Sequence, residues 1–236
     1  MLTFEAQGMS AGSAMDAADV AIWCDVHGFA AAGKIAPRLN RLSLRVPAPS
    51  ISHRPDGTVV INAFGGSLLS CGSACIDVGI AAAESGGQGW LVIRQLADLD
   101  LMPGLAAIAA RRDIDAVLLS GTGEAMSVAL ARGNSRDIEL WSLPAKAAGG
   151  RQPEKDELTI GYGSPVLSWC DGLRAHTTEI ISPSAMEERR RASITDGIEV
   201  DEPAWIDLQK TAKDRLVPES EKSRRRGAGI GANDEG

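Results

Sequence analysis

Between residues 59 and 94 the hydrophobic pattern changes period twice. Val59-Val60-Ile61-Asn62-Ala63 groups three β-branched aliphatics and predicts a strand. Phe64-Gly65-Gly66-Ser67 predicts a turn that uses glycine's access to positive φ. From residue 68 to 83 the apolar positions Leu68, Leu69, Ala74, Cys75, Val78, Ala81 and Ala82 fall at helical spacing. Gly86-Gly87 supplies a left-handed stop, and residues 89–94 read as a buried strand. Strand, helix and strand make a βαβ unit, for which a parallel pair is the default. Ile76, Ile80, Leu91, Ile93 and Val117 are the predicted core around it.

The flanking pattern is helical first and mixed afterwards. Residues 14–24 predict a helix capped by Ser10 or Ser13, and residues 36–44 a short one with Pro37 in first position. Residues 51–53 predict a strand, and Arg54-Pro55-Asp56-Gly57 a turn. Residues 103–112 predict a helix, 116–119 a buried strand, and 138–143 an alternating strand. After Gly121-Thr122-Gly123 a second helix is expected, up to residue 132. Residues 158–160 and 166–169 are strand candidates. Residues 183–194 predict a helix capped by Ser182, and 202–216 another with Trp205, Leu208, Ala212 and Leu216 on one face. The expected class is α/β: a mixed sheet with packed helices, an N-terminal helical segment and a flexible C-terminal tail. The expected divisions are 1–45, an α/β core at 46–146, a C-terminal part of the same domain at 147–216, and the tail at 217–236.

Composition narrows the function classes. The chain has 236 residues, enough to bury a substantial core. A net charge of −7 argues against a nucleic-acid partner. No apolar run reaches the roughly 20 residues that a membrane span needs, and no signal peptide is visible, so a cytoplasmic protein is expected. Four cysteines, at 24, 71, 75 and 170, fit reduced thiols in a small-residue core. Three scattered histidines give no metal-ligand spacing, and no metal is expected. The amides around Gly65, Gly66 and Ser67 precede a helix and are a candidate anion cradle, although a tight turn is the plainer reading. In the tail, Arg224, Arg225 and Arg226 meet Gly227, Gly229 and Gly231. Arg224 is expected to reach a carboxylate or bound anion, and 227–236 to shield part of a pocket.

Two resemblances add to this. Asp25-Val26-His27-Gly28-Phe29-Ala30-Ala31-Ala32-Gly33, then Pro37-Arg38, Pro55-Asp56-Gly57 and Val92-Ile93-Arg94, stand in the order of a motif series in the non-Rossmann malate/L-lactate dehydrogenases, and the N-terminal half resembles that family. The resemblance implies NAD or NADP chemistry on a small 2-hydroxy, 2-oxo or imino acid. It places the family's reactive histidine at Ala32 and its second histidine near Asp98, so both are missing here. The whole chain also resembles an uncharacterised, mainly proteobacterial family, through Gly8-Met9-Ser10-Ala11-Gly12 and the ending from Val217 to Asp234. That resemblance implies no reaction.

The leading expectation is therefore a small-metabolite-binding or accessory protein on a dehydrogenase-like scaffold that lacks the acid/base. The alternative is an active oxidoreductase, with Asp25, His27 and Asp98 as candidate catalytic groups and Arg38 and Arg94 holding a carboxylate bidentately. NAD or NADP belongs to that alternative alone. A purely structural partner is a third class, resting on the tail. A homo-oligomer is compatible with all three.

Overall fold

The computed structural model describes residues 1–42, 47–84, 89–133 and 137–214. Eight helices and eight strands follow in chain order: α1 (Leu2–Ala6), α2 (Ala11–Val26), α3 (Ala31–Ile35), β1 (Ser50–His53), β2 (Val59–Asn62), α4 (Leu68–Glu84), β3 (Gly89–Arg94), α5 (Met102–Arg111), β4 (Ala116–Thr122), β5 (Ala125–Arg132), β6 (Asp137–Pro144), β7 (Leu158–Tyr162), α6 (Ser164–Leu173), β8 (Glu179–Ile181), α7 (Pro183–Asp196) and α8 (Glu202–Lys213). The strands form one mixed sheet in the order β1-β2-β3-β7-β4-β5-β6-β8. Only β2 and β3 run parallel, in the register Val59 to Leu91 and Ile61 to Ile93, joined through α4 as the βαβ pattern predicts.

The sheet has two dissimilar faces because strand side chains alternate. Leu118, Ala129, Leu140, Leu158 and Ile160 face the larger core, shared with α2, α4 and α5. Val117, Leu119, Met126, Val128, Leu130 and Trp141 face a smaller one, closed by Val166, Cys170 and Leu173 of α6. α5 is buried along its length from Met102 to Ala110. Its Gly104 lets α2 approach, since a Cβ there would lie 2.6 Å from the Val20 carbonyl oxygen. Ile76, Leu91, Ile93 and Val117 are fully buried, whereas Ile80 is only partly so. Ala74 and Ala81, expected on the inner stripe of α4, are exposed. Ser10 and Ser182 cap α2 and α7, accepting from the amides of Ser13 and Ala185. The Arg54–Gly57 turn forms as expected, with Gly57 N–H donating to the Arg54 carbonyl at 3.0 Å.

Several expectations need correction. Residues 125–132 form strand β5, not a helix. Gly123, at φ +77, opens a two-residue loop between paired Thr122 and Ala125, a II′-type hairpin that continues the sheet. Met126, Val128 and Leu130 on one face against Ser127, Ala129 and Ala131 on the other give period 2, which the alanines disguised. Residues 166–169 lie in helix α6, started by Pro165 in its first turn, with Val166, Cys170 and Leu173 at helical spacing. Residues 36–41 form a 3-10 helix rather than an α-helix. Trp205 is half exposed, and Ala204 is the buried residue of α8. The Gly86-Gly87 stop, and the whole of 217–236 with Arg224, lie outside the described residues. No helix among them is long and apolar enough to cross a membrane.

Candidate functional site

The loops after β2 and β3 are stitched into one rim. Phe64 (φ +49) and Gly65 (φ +84) turn the chain. Gly66 has no room for a side chain, because a Cβ would lie 2.9 Å from the Ala63 carbonyl oxygen. Gly65 N–H donates to the Gln95 carbonyl (2.7 Å), Gly66 N–H to that of Ala63 (2.8 Å), and Leu68 N–H to that of Ala97 (3.0 Å). Ala97 N–H returns a bond to the Gly66 carbonyl at 2.9 Å. Leu69 N–H donates to Ser67 Oγ at 3.1 Å. The Gly65 and Gly66 amides of the expected anion cradle are thus occupied by protein acceptors.

Ser67 Oγ donates to Asp98 Oδ2 at 2.6 Å, and the other oxygen, Oδ1, receives Arg38 Nη1 at 3.0 Å. The Asp98 side chain is only 5% exposed, at a backbone φ of +62. Arg38 Nη1 also lies 3.3 Å from Asp100 Oδ1, and Lys34 Nζ lies 3.7 Å from Asp100 Oδ2. The Asp98 hydrogen bond, aided by Asp100, pushes the Arg38 pKa up. Arg38, Gly65, Gln95, Asp98, Asp100 and Asp156 line a cavity of about 530 Å³. Gln95 (φ +52) and Asp156 (φ +57) are left-handed like Phe64 and Asp98, so strained backbone gathers at this rim. The lining carries three carboxylates against one guanidinium.

The remaining candidates sit elsewhere. Arg94 Nε reaches Glu157 Oε2 at 3.2 Å, pairing β3 with the segment before β7. Asp25 Oδ1 accepts the Ala32 amide at 3.2 Å and so holds the start of α3. Burial pushes its pKa up, against opposing pulls from the Ala32 and Ala31 amides and Lys34. His27 stacks on Trp23, ring centroids 4.0 Å apart, with Nδ1 2.7 Å from the Trp23 carbonyl oxygen. α7 covers the end of its helix: Arg189 donates to the His27 carbonyl and Ser193 to that of Val26. Burial lowers the His27 pKa. The structure thus brings Arg38, Gly65, Ser67 and Asp98 together and leaves His27 and Arg94 apart from them. Asp25 feels the charge of Lys34, which pairs with Asp100. Among the described residues no group of three or more His, Cys, Asp or Glu is placed to hold a metal.

A second cavity, of about 320 Å³, shares Leu99 and Asp100 with the first. Phe29, Met102 and Pro103 line its helical side, and Ser120, Ser127 and Ser142 its sheet side. The hydrophobic pattern did not single out these serines. Their signal was present: in three successive strands a serine stands two positions from a core residue, as in Leu118-x-Ser120, Ser127-x-Ala129 and Leu140-x-Ser142.

Solved structures resemble this architecture over about nine tenths of the chain. A dehydrogenase from Sinorhizobium meliloti superposes with a TM-score of 0.64 at 15% identity, over 89% of this chain and 95% of that one. Malate dehydrogenase from Entamoeba histolytica gives 0.63 at 11%, over 92% and 95%. Sulfolactate dehydrogenase from Methanocaldococcus jannaschii gives 0.60 at 15%, over 90% and 93%. The chain has their fold. No protein-family model matches it, and no curated protein matches it. The dehydrogenase-like scaffold implied by the N-terminal resemblance is therefore established as architecture, and it extends well beyond the N-terminal half.

Proposed function

We propose that the chain binds a small metabolite in the two cavities that meet at Leu99 and Asp100, and that it does so without the acid/base step of the dehydrogenases whose fold it shares. One observation carries this. Of the two places where the sequence resemblance implies a histidine, one is Ala32, buried and inert, and the other is Asp98, with both oxygens held by Arg38 and Ser67. A proton-transfer group needs an atom free to meet the substrate. The first cavity also does not fit the phosphates of a dinucleotide, because its one guanidinium is occupied by two carboxylates and its glycine amides are already bonded. An accessory or regulatory role, in a soluble cytoplasmic setting and with or without a protein partner, agrees with this reading.

A thermal-shift screen tests it. A ligand at 100 times its Kd stabilises by about 2.7 kcal/mol, so a bound metabolite is easily seen. The expected result is a shift with an organic ligand, none with NAD(H) or NADP(H), and no turnover of 2-hydroxy, 2-oxo or imino acids. Reduction of NAD(P)+ by a 2-hydroxy acid, or oxidation of NAD(P)H by a 2-oxo or imino acid, would overturn the proposal.

Asp25 favours a second reading, an oxidoreductase on a small acid. Its carboxyl has its pKa raised by burial, as a general acid requires, and it lies within the electrostatic reach of Lys34, the partner of Asp100. On that reading Asp25→Asn abolishes turnover. On the binding reading it leaves ligand affinity intact.

A further inference from the structure

Ser120, Ser127 and Ser142 form one row across three strands. Ser120 pairs with Ser127 in the β4–β5 register, and Ser127 with Ser142 in the β5–β6 register. Residues paired across antiparallel strands project to the same face, with backbones about 5 Å apart. The next row on that face, Leu118, Ala129 and Leu140, is buried and apolar. The face thus changes from aliphatic to hydroxyl where the second cavity opens. Ser120 is 8% exposed, and its hydroxyl has no hydrogen-bond partner among the described residues. It is not among the sealed, unpaired polar atoms, so it opens into the cavity. A nearly buried hydroxyl that faces a cavity without a protein partner is a vacancy for a ligand's polar atom.

The geometry points to a recognition edge for a small, flat, uncharged ring that carries two carbonyl or amide groups in a 1,3 relation, as in a pyrimidinedione or a cyclic imide. The inference rests on the small-metabolite reading of the same site and names its ligand class. A serine hydroxyl donates or accepts, so a row of three matches either end of such an edge. The strand spacing is close to the separation of two exocyclic oxygens placed 1,3 on a six-membered ring. Phe29, Leu99, Met102 and Pro103 provide the apolar wall that a ring face needs. Among the described residues Asp100 is the only charged side chain of the lining, and Lys34 and Arg38 already hold it. A dianion such as malate would lose its water here with no cation in the described lining to balance its charge. A volume of about 320 Å³ has ample room for one such ring.

Isothermal titration of the full chain with uracil, glutarimide, malate and pyruvate tests the inference. The expected result is binding of uracil or glutarimide. Ser127→Ala and Ser142→Ala should each weaken it by about tenfold, the loss of one hydrogen bond, with unchanged melting temperature in the absence of ligand. Ring binding that neither substitution weakens puts the ring elsewhere and overturns the inference. If malate or pyruvate binds and the rings do not, the small-metabolite reading stands and the serine row is not its recognition edge. If no probe binds at millimolar concentration, the ring inference falls; the small-metabolite reading falls only if the broader thermal-shift screen is also silent.

Discussion

Gly79→Ala should destabilise the protein, although alanine is the better helix former. Gly79 lies inside α4, where alanine in place of glycine favours a helix by about 1 kcal/mol. Against this, a Cβ at Gly79 would lie 2.5 Å from the Tyr162 hydroxyl oxygen and closer still to two ring carbons. An ordinary contact is 3.4–4 Å, so the ring must move by roughly 1 Å in a core packed like a crystal. Tyr162 is 1% exposed at the end of β7, opposite Gly89 of β3 and Ala116 of β4, and has little room to move. Overpacking costs about 1–3 kcal/mol, occasionally more, and an overlap this deep belongs at the upper end, which leaves a net loss of about 2 kcal/mol. Urea unfolding should show a lower midpoint at unchanged slope. Gly172→Ala in α6, where nothing lies within 4 Å, is the control and should gain up to about 1 kcal/mol. Tyr162→Leu in the Gly79→Ala background should remove the extra cost, a coupling that a double-mutant cycle reads directly. A Gly79→Ala protein as stable as the parent, or a cycle without coupling, refutes the packing argument.

Three further outcomes are expected. Asp98→Ala should lower stability by about 1–3 kcal/mol, because the buried Ser67 hydroxyl loses its acceptor; Asp98→Asn, which keeps an acceptor and tolerates φ +62, should cost clearly less, and equal midpoints would refute this. Because burial lowers the His27 pKa, the unfolded chain binds more protons as pH falls through the free imidazole value of about 6.5, and stability drops below that pH. The bond to the Trp23 carbonyl and the charge of Glu187 oppose this shift while Arg190 and Arg189 of α7 reinforce it, and His27→Gln should flatten the midpoint-versus-pH curve below about pH 6.5. Ile93→Ala removes a fully buried aliphatic of β3 and should cost about 2–5 kcal/mol; an unchanged unfolding midpoint would contradict its place in the core.

The βαβ unit was legible because its signals are local: β-branched runs, a glycine turn, an apolar helix stripe. The caps at Ser10 and Ser182 were legible for the same reason, each depending on an amide three residues away. β5 and α6 were misread because alanine and short apolar runs fit both periods, and tertiary context decided between them. At the site, Arg38 and Asp98 were named from a motif series, and Gly65 and Ser67 from a glycine turn that precedes a helix. Their union is nonlocal: Arg38 and Asp98 are sixty positions apart, and the bond between them depends on the 3-10 helix at 36–41 meeting the loop after β3. Each serine had a signal within its own strand, but their alignment in one row needed the strand registers, because no single strand contains more than one of them.

The position of β7 bears on the order in which the protein comes together. Residues 158–162 are encoded after β4, β5 and β6 yet lie between β3 and β4, antiparallel to both and buried along their length. Before they arrive, the chain can hold only two half-sheets, β1-β2-β3 and β4-β5-β6, each with a central strand exposed as a bare edge. Such edges invite pairing with other chains, and closing a sheet through so distant a segment is intrinsically slow. During synthesis the protein is therefore vulnerable until more than two thirds of it has been made. A pulse of hydrogen exchange during refolding should find β3 and β4 becoming protected together with β7, in a single late step.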